Sequence, residues 1–224
     1  MKIKRSTLEL KSATGPLGLR TGFLLVLMVL GFTGFALEPT KMMVTGISVT
    51  DMSGNTNNDG IICSGASATL TADGLTGGSG RQWFLDQNSN NTYEAGTDTD
   101  LGTNASLVVA GGSANFPAGA SRTVHFRESV TVGMAVTLTY ATRIITVNVN
   151  PSCSASSNSP ICPGAPLNLS ENGGTGTSWS WTRSGSATFD NATSRTPVAS
   201  NVSNNEVFTV VVTNANGCTS TCNT

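Results

Sequence analysis

Apolar and polar positions alternate with a period of two in short runs along most of this chain. Ala68-Thr69-Leu70-Thr71-Ala72 alternates throughout, as do residues 81–85 and Thr123-Val124-His125-Phe126-Arg127. This is the pattern of a strand with one buried face. Residues 142–150, TRIITVNVN, alternate in their second half, and Trp179-Ser180-Trp181-Thr182 and residues 207–213 repeat the pattern further on. The clusters GLTGGSG, AGGSANFPAGAS and SENGGTG separate these runs and read as turns. No window supports a helix of more than a turn or two. The prediction is an all-β chain.

The pattern is also duplicated. IICSGASATLTADG, residues 61–74, and PICPGAPLNLSENG, residues 160–173, agree at six of 14 positions when shifted by 99 residues. The shared positions are Ile62/Ile161, Cys63/Cys162, Gly65/Gly164, Ala66/Ala165, Leu70/Leu169 and Gly74/Gly173. A tryptophan follows each cysteine, Trp83 after 20 residues and Trp181 after 19. Two tandem modules of related design follow from this, with boundaries expected at 43–150 and 154–224. Each has the size of a small β-sandwich.

Composition agrees. The 224 residues suit one large domain or two small ones. Only 11% are charged and 6% aromatic, while 38% are hydrophobic. That is too little Glu, Lys and Leu for amphipathic helices and too much recurring apolar sequence for full disorder.

The N-terminus differs from the rest. Lys2, Lys4, Arg5, Lys11 and Arg20 precede FLLVLMVLGFTGFA, residues 23–36. The apolar run is too short for a comfortable membrane span and ends in small residues. It reads as a signal peptide, residues 1–36, cleaved after Ala36, with a retained anchor as the alternative. That segment holds five of the 12 basic and one of the 13 acidic residues, which leaves 7 basic and 12 acidic, a net charge of −5. Lys41 is then the only lysine, and no basic stripe survives to bind nucleic acid. Once the signal is cleaved, no membrane partner is expected.

Export makes disulfides the expected state of Cys63, Cys153, Cys162, Cys218 and Cys222. No C-x-x-C pair occurs and His125 is the only histidine, so a zinc site is not expected.

One loop carries candidate metal chemistry. DQNSNNTYEAGT, numbered from Asp86, places side-chain oxygens at positions 1, 3, 5 and 9: Asp86, Asn88, Asn90 and Glu94. Alternate oxygens on a tight loop can converge on calcium, which takes six to eight such ligands. The loop departs from calcium loops of bacterial surface repeats in three ways. Asn90 replaces a carboxylate, Asn91 replaces the turn glycine, and Thr97 stands where a bidentate carboxylate belongs. The alternative is a solvated strand connection. A second acidic loop, DMSGNTNNDG, offers Asp51, Ser53, Asn55 and Asp59. Calcium at either loop would be structural. No G-x-S-x-G or H-E-x-x-H motif occurs, so no catalytic residues are expected. Trp83 and Trp181 are expected in the cores. Trp179 shares Trp181's parity and is the candidate exposed aromatic if it lies at a sheet edge.

The run PICPG, then W-S-W, then VFTVVVTNANGCTSTC resembles the immunoglobulin-like and PKD-like repeats of secreted, adhesin-type bacterial surface proteins. The resemblance spans residues 43–224 and is strongest from Ser159 to Cys222. It implies two tandem immunoglobulin-like β-sandwiches on a secreted or cell-surface protein. It also implies a disulfide between Cys162 and Cys218. Cys63 and Cys153, each near a module boundary, would then clamp the first module, and Cys222 would be left over. After TNANGCTSTCNT the family pattern calls for a closing strand that the sequence does not show. The second module is therefore expected to lack its last strand, through truncation or donation by a neighbouring chain. The implied function is a non-catalytic structural or adhesive segment with an extracellular protein or polysaccharide as partner. The alternative is a carbohydrate- or protein-binding accessory module of a larger secreted enzyme.

Overall fold

Strands and turns make up the whole of the computed structural model, which describes residues 44–224 apart from Thr76, Gly133 and Met134. The signal-peptide expectation falls on residues 1–36, outside the described residues. Fifteen strands and no helix occur among the described residues.

In the first half, β1 (Gly46–Thr50), β3 (Ser67–Asp73) and β6 (Ser106–Ala110) form one antiparallel sheet in the order β1-β3-β6. A second sheet runs β2-β8-β7-β4-β5, from β2 (Ile61–Cys63), β8 (Ala135–Asn148), β7 (Ala120–Val132), β4 (Ser79–Leu85) and β5 (Thr99–Gly102). The alternation read from the sequence sets which face is inside. Ala68, Leu70 and Ala72 of β3 point into a core completed by Trp83, Leu85, Val124, Phe126, Ile145 and Val147 of the other sheet. Trp83 packs on Phe126 at 4.6 Å between ring centroids, and its indole N–H donates to the Asn104 carbonyl at 2.8 Å.

The second half repeats the plan with its own core. β9 (Ala155–Ser157), β10 (Leu167–Glu171), β12 (Thr188–Phe189) and β13 (Val198–Ser200) form a sheet in the order β12-β13-β10-β9. β11 (Ser178–Arg183), β14 (Phe208–Thr213) and β15 (Thr219–Asn223) form the facing sheet, in the order β11-β14-β15. Leu167, Leu169, Trp181, Phe208, Val210 and Val212 meet between them. The Trp181 indole N–H donates to the Ser194 carbonyl at 3.0 Å, the same use of the ring as in the first half. Lettered in chain order, these seven strands give the four-plus-three arrangement of a constant-type immunoglobulin sandwich.

Two expectations are corrected. The second half does have its closing strand: Thr219-Ser220-Thr221-Cys222-Asn223 pairs with β14 along its whole length. The run carries no apolar alternation, so the hydrophobic pattern does not mark it as a strand. At a sheet edge with alternate residues exposed it needs none, and threonine suits a strand on its own account. The disulfides also differ. Cys63 is bonded to Cys218 and Cys153 to Cys222, while Cys162 is free and exposed. Neither Cys162–Cys218 nor Cys63–Cys153 forms, because the β14–β15 turn that carries Cys218 lies against the first half.

Trp179 does share the inner face with Trp181. It is half-buried against the second core, its indole N–H donates to Glu171 Oε2 at 3.1 Å, and the Arg195 guanidinium lies 5.8 Å from the ring centroid.

Candidate functional site

Two loops carry the polar chemistry of the first half, and each grows from a strand end. Gln82, Trp83, Phe84 and Leu85 of β4 are all buried, so both faces of that strand are covered. The inner face meets the core. The outer face is covered by residues 86–98, which fold back so that Tyr93 sits over Phe84 at 5.4 Å. His125 stacks on Phe84 at 5.1 Å, and the Arg127 guanidinium lies 4.6 Å from the Tyr93 ring.

Hydrogen bonds fix the shape of this loop. Asp86 Oδ1 accepts the amides of Asn88 and Ser89 at 3.1 and 2.7 Å, and Oδ2 accepts that of Asn91 at 2.6 Å. Asn91 adopts φ +59°, which asparagine tolerates better than most residues. Asn88 and Asn90 each donate a side-chain N–H to Glu94, at 2.8 and 3.1 Å. The four candidate ligands are thus brought together, and as placed their carboxylates are occupied by N–H donors. Among the described residues no group of three or more His, Cys, Asp or Glu side chains is positioned to hold a metal ion.

The residue that anchors the loop is Asp98, which the ligand pattern did not single out. It is buried, and its two oxygens accept the Gln87 and Glu94 amides at 3.0 and 2.7 Å. Asp98→Ala strands both donors and is expected to cost about 2 kcal/mol, with Asp98→Asn costing less because one acceptor remains. Urea midpoints of the two variants test this. Equal midpoints for wild type and alanine would refute the anchoring role.

A cavity of about 570 Å³ opens beside the loop, lined by Asp86, Asn115, Arg122, His125 and Thr142 among others. Burial lowers the His125 pKa below its ordinary value, while the negative charges of Asp86 and Asp98 pull it up. The net lowering favours the neutral imidazole, whose ring stacks on Phe84.

The second loop, residues 51–60, has a different task. Asp51 is buried and caps it internally, its Oδ2 accepting the Gly60 amide at 3.0 Å. Ser53 Oγ accepts the Cys63 amide at 3.1 Å. Asn55 reaches the other half and donates to the Ala215 carbonyl at 2.8 Å. The β14–β15 turn answers it. Asn214 Oδ1 accepts the amides of Asn216 and Cys218 at 3.0 and 3.1 Å, and Asn214 Nδ2 donates to the Val149 carbonyl at 2.9 Å. Gly217 has φ +74°, and a Cβ there would come within 2.3 Å of Asn55 Oδ1. That is why the turn reads N-G-C. The Cys63–Cys218 bridge closes the contact. Residues 51–60, which the sequence offers as a second acidic loop, seat the turn of the other half.

The strand orders define an all-β sandwich protein of immunoglobulin-like topology. No protein-family model matches the chain, and no curated protein matches it. Solved structures that resemble it include the N-terminal four Ig domains of Dscam1 isoform 8.4, at 14% identity, covering 79% of this chain and 45% of that one, with a TM-score of 0.23. Dscam1 isoform 6.44 is 12% identical over 78% of this chain and 45% of its own, at the same TM-score of 0.23. Parabacteroides merdae β-glucuronidase is 10% identical over 80% of this chain and 24% of its own, at 0.22. This chain spans less than half the length of each. At such scores the fold assignment rests on the strand order described above.

Proposed function

We propose that this chain is a non-catalytic structural segment of an exported bacterial surface protein, in which two immunoglobulin-like sandwiches act as one stiff spacer. The observation that carries this reading is the contact between the halves. A turn built to a single shape, a loop that receives it and a disulfide across them are what a spacer needs and what a pair of freely hinged binding modules does not. The aromatic residues support it too. Trp83 and Trp181 are spent in the cores and Trp179 is capped by Glu171 and Arg195, so the sugar-stacking platform that an adhesive or accessory module would use is not offered by the tryptophans. Two disulfides fit an oxidising compartment outside the cytoplasm.

Small-angle scattering of residues 37–224, paired with a polysaccharide-binding screen, tests the proposal. One rigid conformation should account for the scattering at low and high salt, and the screen should show no saturable binding. Saturable binding that His125→Ala or Arg122→Ala abolishes would replace the spacer reading with a binding module working through the 570 Å³ cavity.

A further inference from the structure

We propose that Cys162 is the acceptor for a disulfide with the N-G-C turn of a further module of this kind, so that modules of this type are linked one to the next by sulfur. The inference rests on the modular reading of the chain. Its basis is that Cys162 and Cys63 are the same residue of the repeat, and that one of them shows what the position does.

The equivalence is structural as well as sequential. Cys63 and Cys162 each open a C-x-G-A turn. The Ala66 amide donates to the Cys63 carbonyl at 3.0 Å, and the Ala165 amide donates to the Cys162 carbonyl at 3.0 Å. The third residue of each turn is a left-handed glycine, Gly65 at φ +85° and Gly164 at φ +81°. Each turn leads into the central strand of its sheet, β3 and β10. In the first half this turn receives the hairpin tip of the following half, and Cys63 bonds Cys218. The crevice there, about 400 Å³, is lined by Cys63, Ser64 and Gly65 on one side and by Gly217 and Thr219 of the hairpin on the other. In the second half the same turn also borders a cavity, of about 590 Å³. It is lined by Cys162, Pro163 and Gly164 together with Val202, Asn204 and Thr224, and no hairpin enters it.

The cysteine inventory obeys the same rule. From Ser64 to Ser152 there is no cysteine, so the first half carries an acceptor and no donor turn. The second half carries a donor, Cys218, and an acceptor, Cys162. Cys153–Cys222 is separate, since it ties the second half to itself. The seat differs in two respects. Cys63 is buried at the end of β2, which pairs with β8, whereas Cys162 is exposed and lies outside any strand. The ten-residue loop 51–60 has only the short connection Asn158-Ser159-Pro160 as its counterpart, so the incoming turn meets a more open cavity.

The linking step is an oxidation. The Cys162 thiol and the incoming turn's thiol together lose two electrons and two protons, forming one S–S bond. A small disulfide such as oxidised glutathione accepts them and is reduced to two thiols.

The test extends residues 37–224 by a second copy of residues 151–224 and refolds the product in a glutathione redox buffer. Disulfide mapping should find Cys162 joined to the N-G-C cysteine of the added copy, and free-thiol titration should count one thiol per chain, the added copy's own acceptor. Three free thiols, or no preference among partners, would overturn the proposal. Should the added copy fail to fold, a second arm decides. Unextended protein is incubated with a backbone-cyclised peptide of residues 209–223 carrying C222S. Capture at Cys162 should be roughly tenfold faster than for the same peptide with N214A, corresponding to about 1.4 kcal/mol of docking preference. Equal rates would overturn it. Neither arm depends on polysaccharide binding, so the inference and the spacer reading fail on different measurements.

Discussion

Replacing Glu171 with alanine is expected to destabilise the second sandwich by about 3 kcal/mol, the cost of leaving its N–H donors without an acceptor. Glu171 ends β10 and is 1% exposed. Its Oε1 accepts the Gly173 amide at 2.5 Å and the Ser154 amide at 3.3 Å. Its Oε2 accepts the Trp179 indole N–H at 3.1 Å and lies 3.6 Å from Arg195 Nε. Alanine leaves three N–H donors without an acceptor, while Arg195, 43% exposed, keeps its bond to the carbonyl of residue 171 at 2.8 Å. Glutamine keeps an acceptor and loses the charge, so Glu171→Gln is expected to cost about 1–2 kcal/mol. The pH dependence has a definite sign. Burial raises the carboxyl pKa, but the donors from Gly173, Trp179 and Ser154 and the charge of Arg195 outweigh it, and the folded value lies below the ordinary 4.5. The stabilisation is therefore present in full above pH 4.5 and is lost as pH falls through the folded pKa. Urea unfolding of wild type and both variants at pH 7 and in acid checks this. A loss under 1 kcal/mol at pH 7 for the alanine variant, or a difference between wild type and the glutamine variant that is unchanged in acid, would show that the network is not what holds β9, β10 and β11 together.

Nothing in SENGG announces such a residue, and the reason separates what was legible from what was not. Period-two patterning reports one-sided burial. Residues 68–72 and 208–213 show it, and their strands were readable. The covered outer face of β4 left a signal as well. The alternation expected of residues 81–85 fails at Trp83-Phe84-Leu85, an unbroken apolar run, and that is what burial on both faces produces. β15 left none, because a polar edge strand and a polar loop have the same composition. The cysteine pairing was out of reach for a different reason. Cys63 and Cys162 are alike in sequence, and which of them meets Cys218 depends on which surface the hairpin tip touches. The role of loop 51–60 is hidden on the same ground. Asparagines and aspartates that cap a turn and grip a neighbouring backbone use the same atoms that would bind calcium.

Cutting the Cys63–Cys218 bridge, by Cys63→Ala with Cys218→Ala, is expected to turn one mechanical unit into two. The bridge spans a sequence separation of 155, for which the chain-entropy relation gives about 5 kcal/mol. Among the described residues the hydrogen bonds across the contact are Asn55–Ala215 and Asn214–Val149, each worth about 1 kcal/mol. Two such bonds do not hold two sandwiches against the rotational freedom that separation restores. Each sandwich keeps its core, and the second keeps Cys153–Cys222. Calorimetry of the variant should therefore resolve two transitions, and scattering should change from a single conformation to a distribution. Removing Cys153–Cys222 instead, a separation of 69 worth about 4 kcal/mol on the same relation, should lower only the second transition and leave the contact between halves intact. If the first double variant stays rigid in scattering, the polar seam is stronger than its two bonds imply, and the sulfur bridge is dispensable to the spacer.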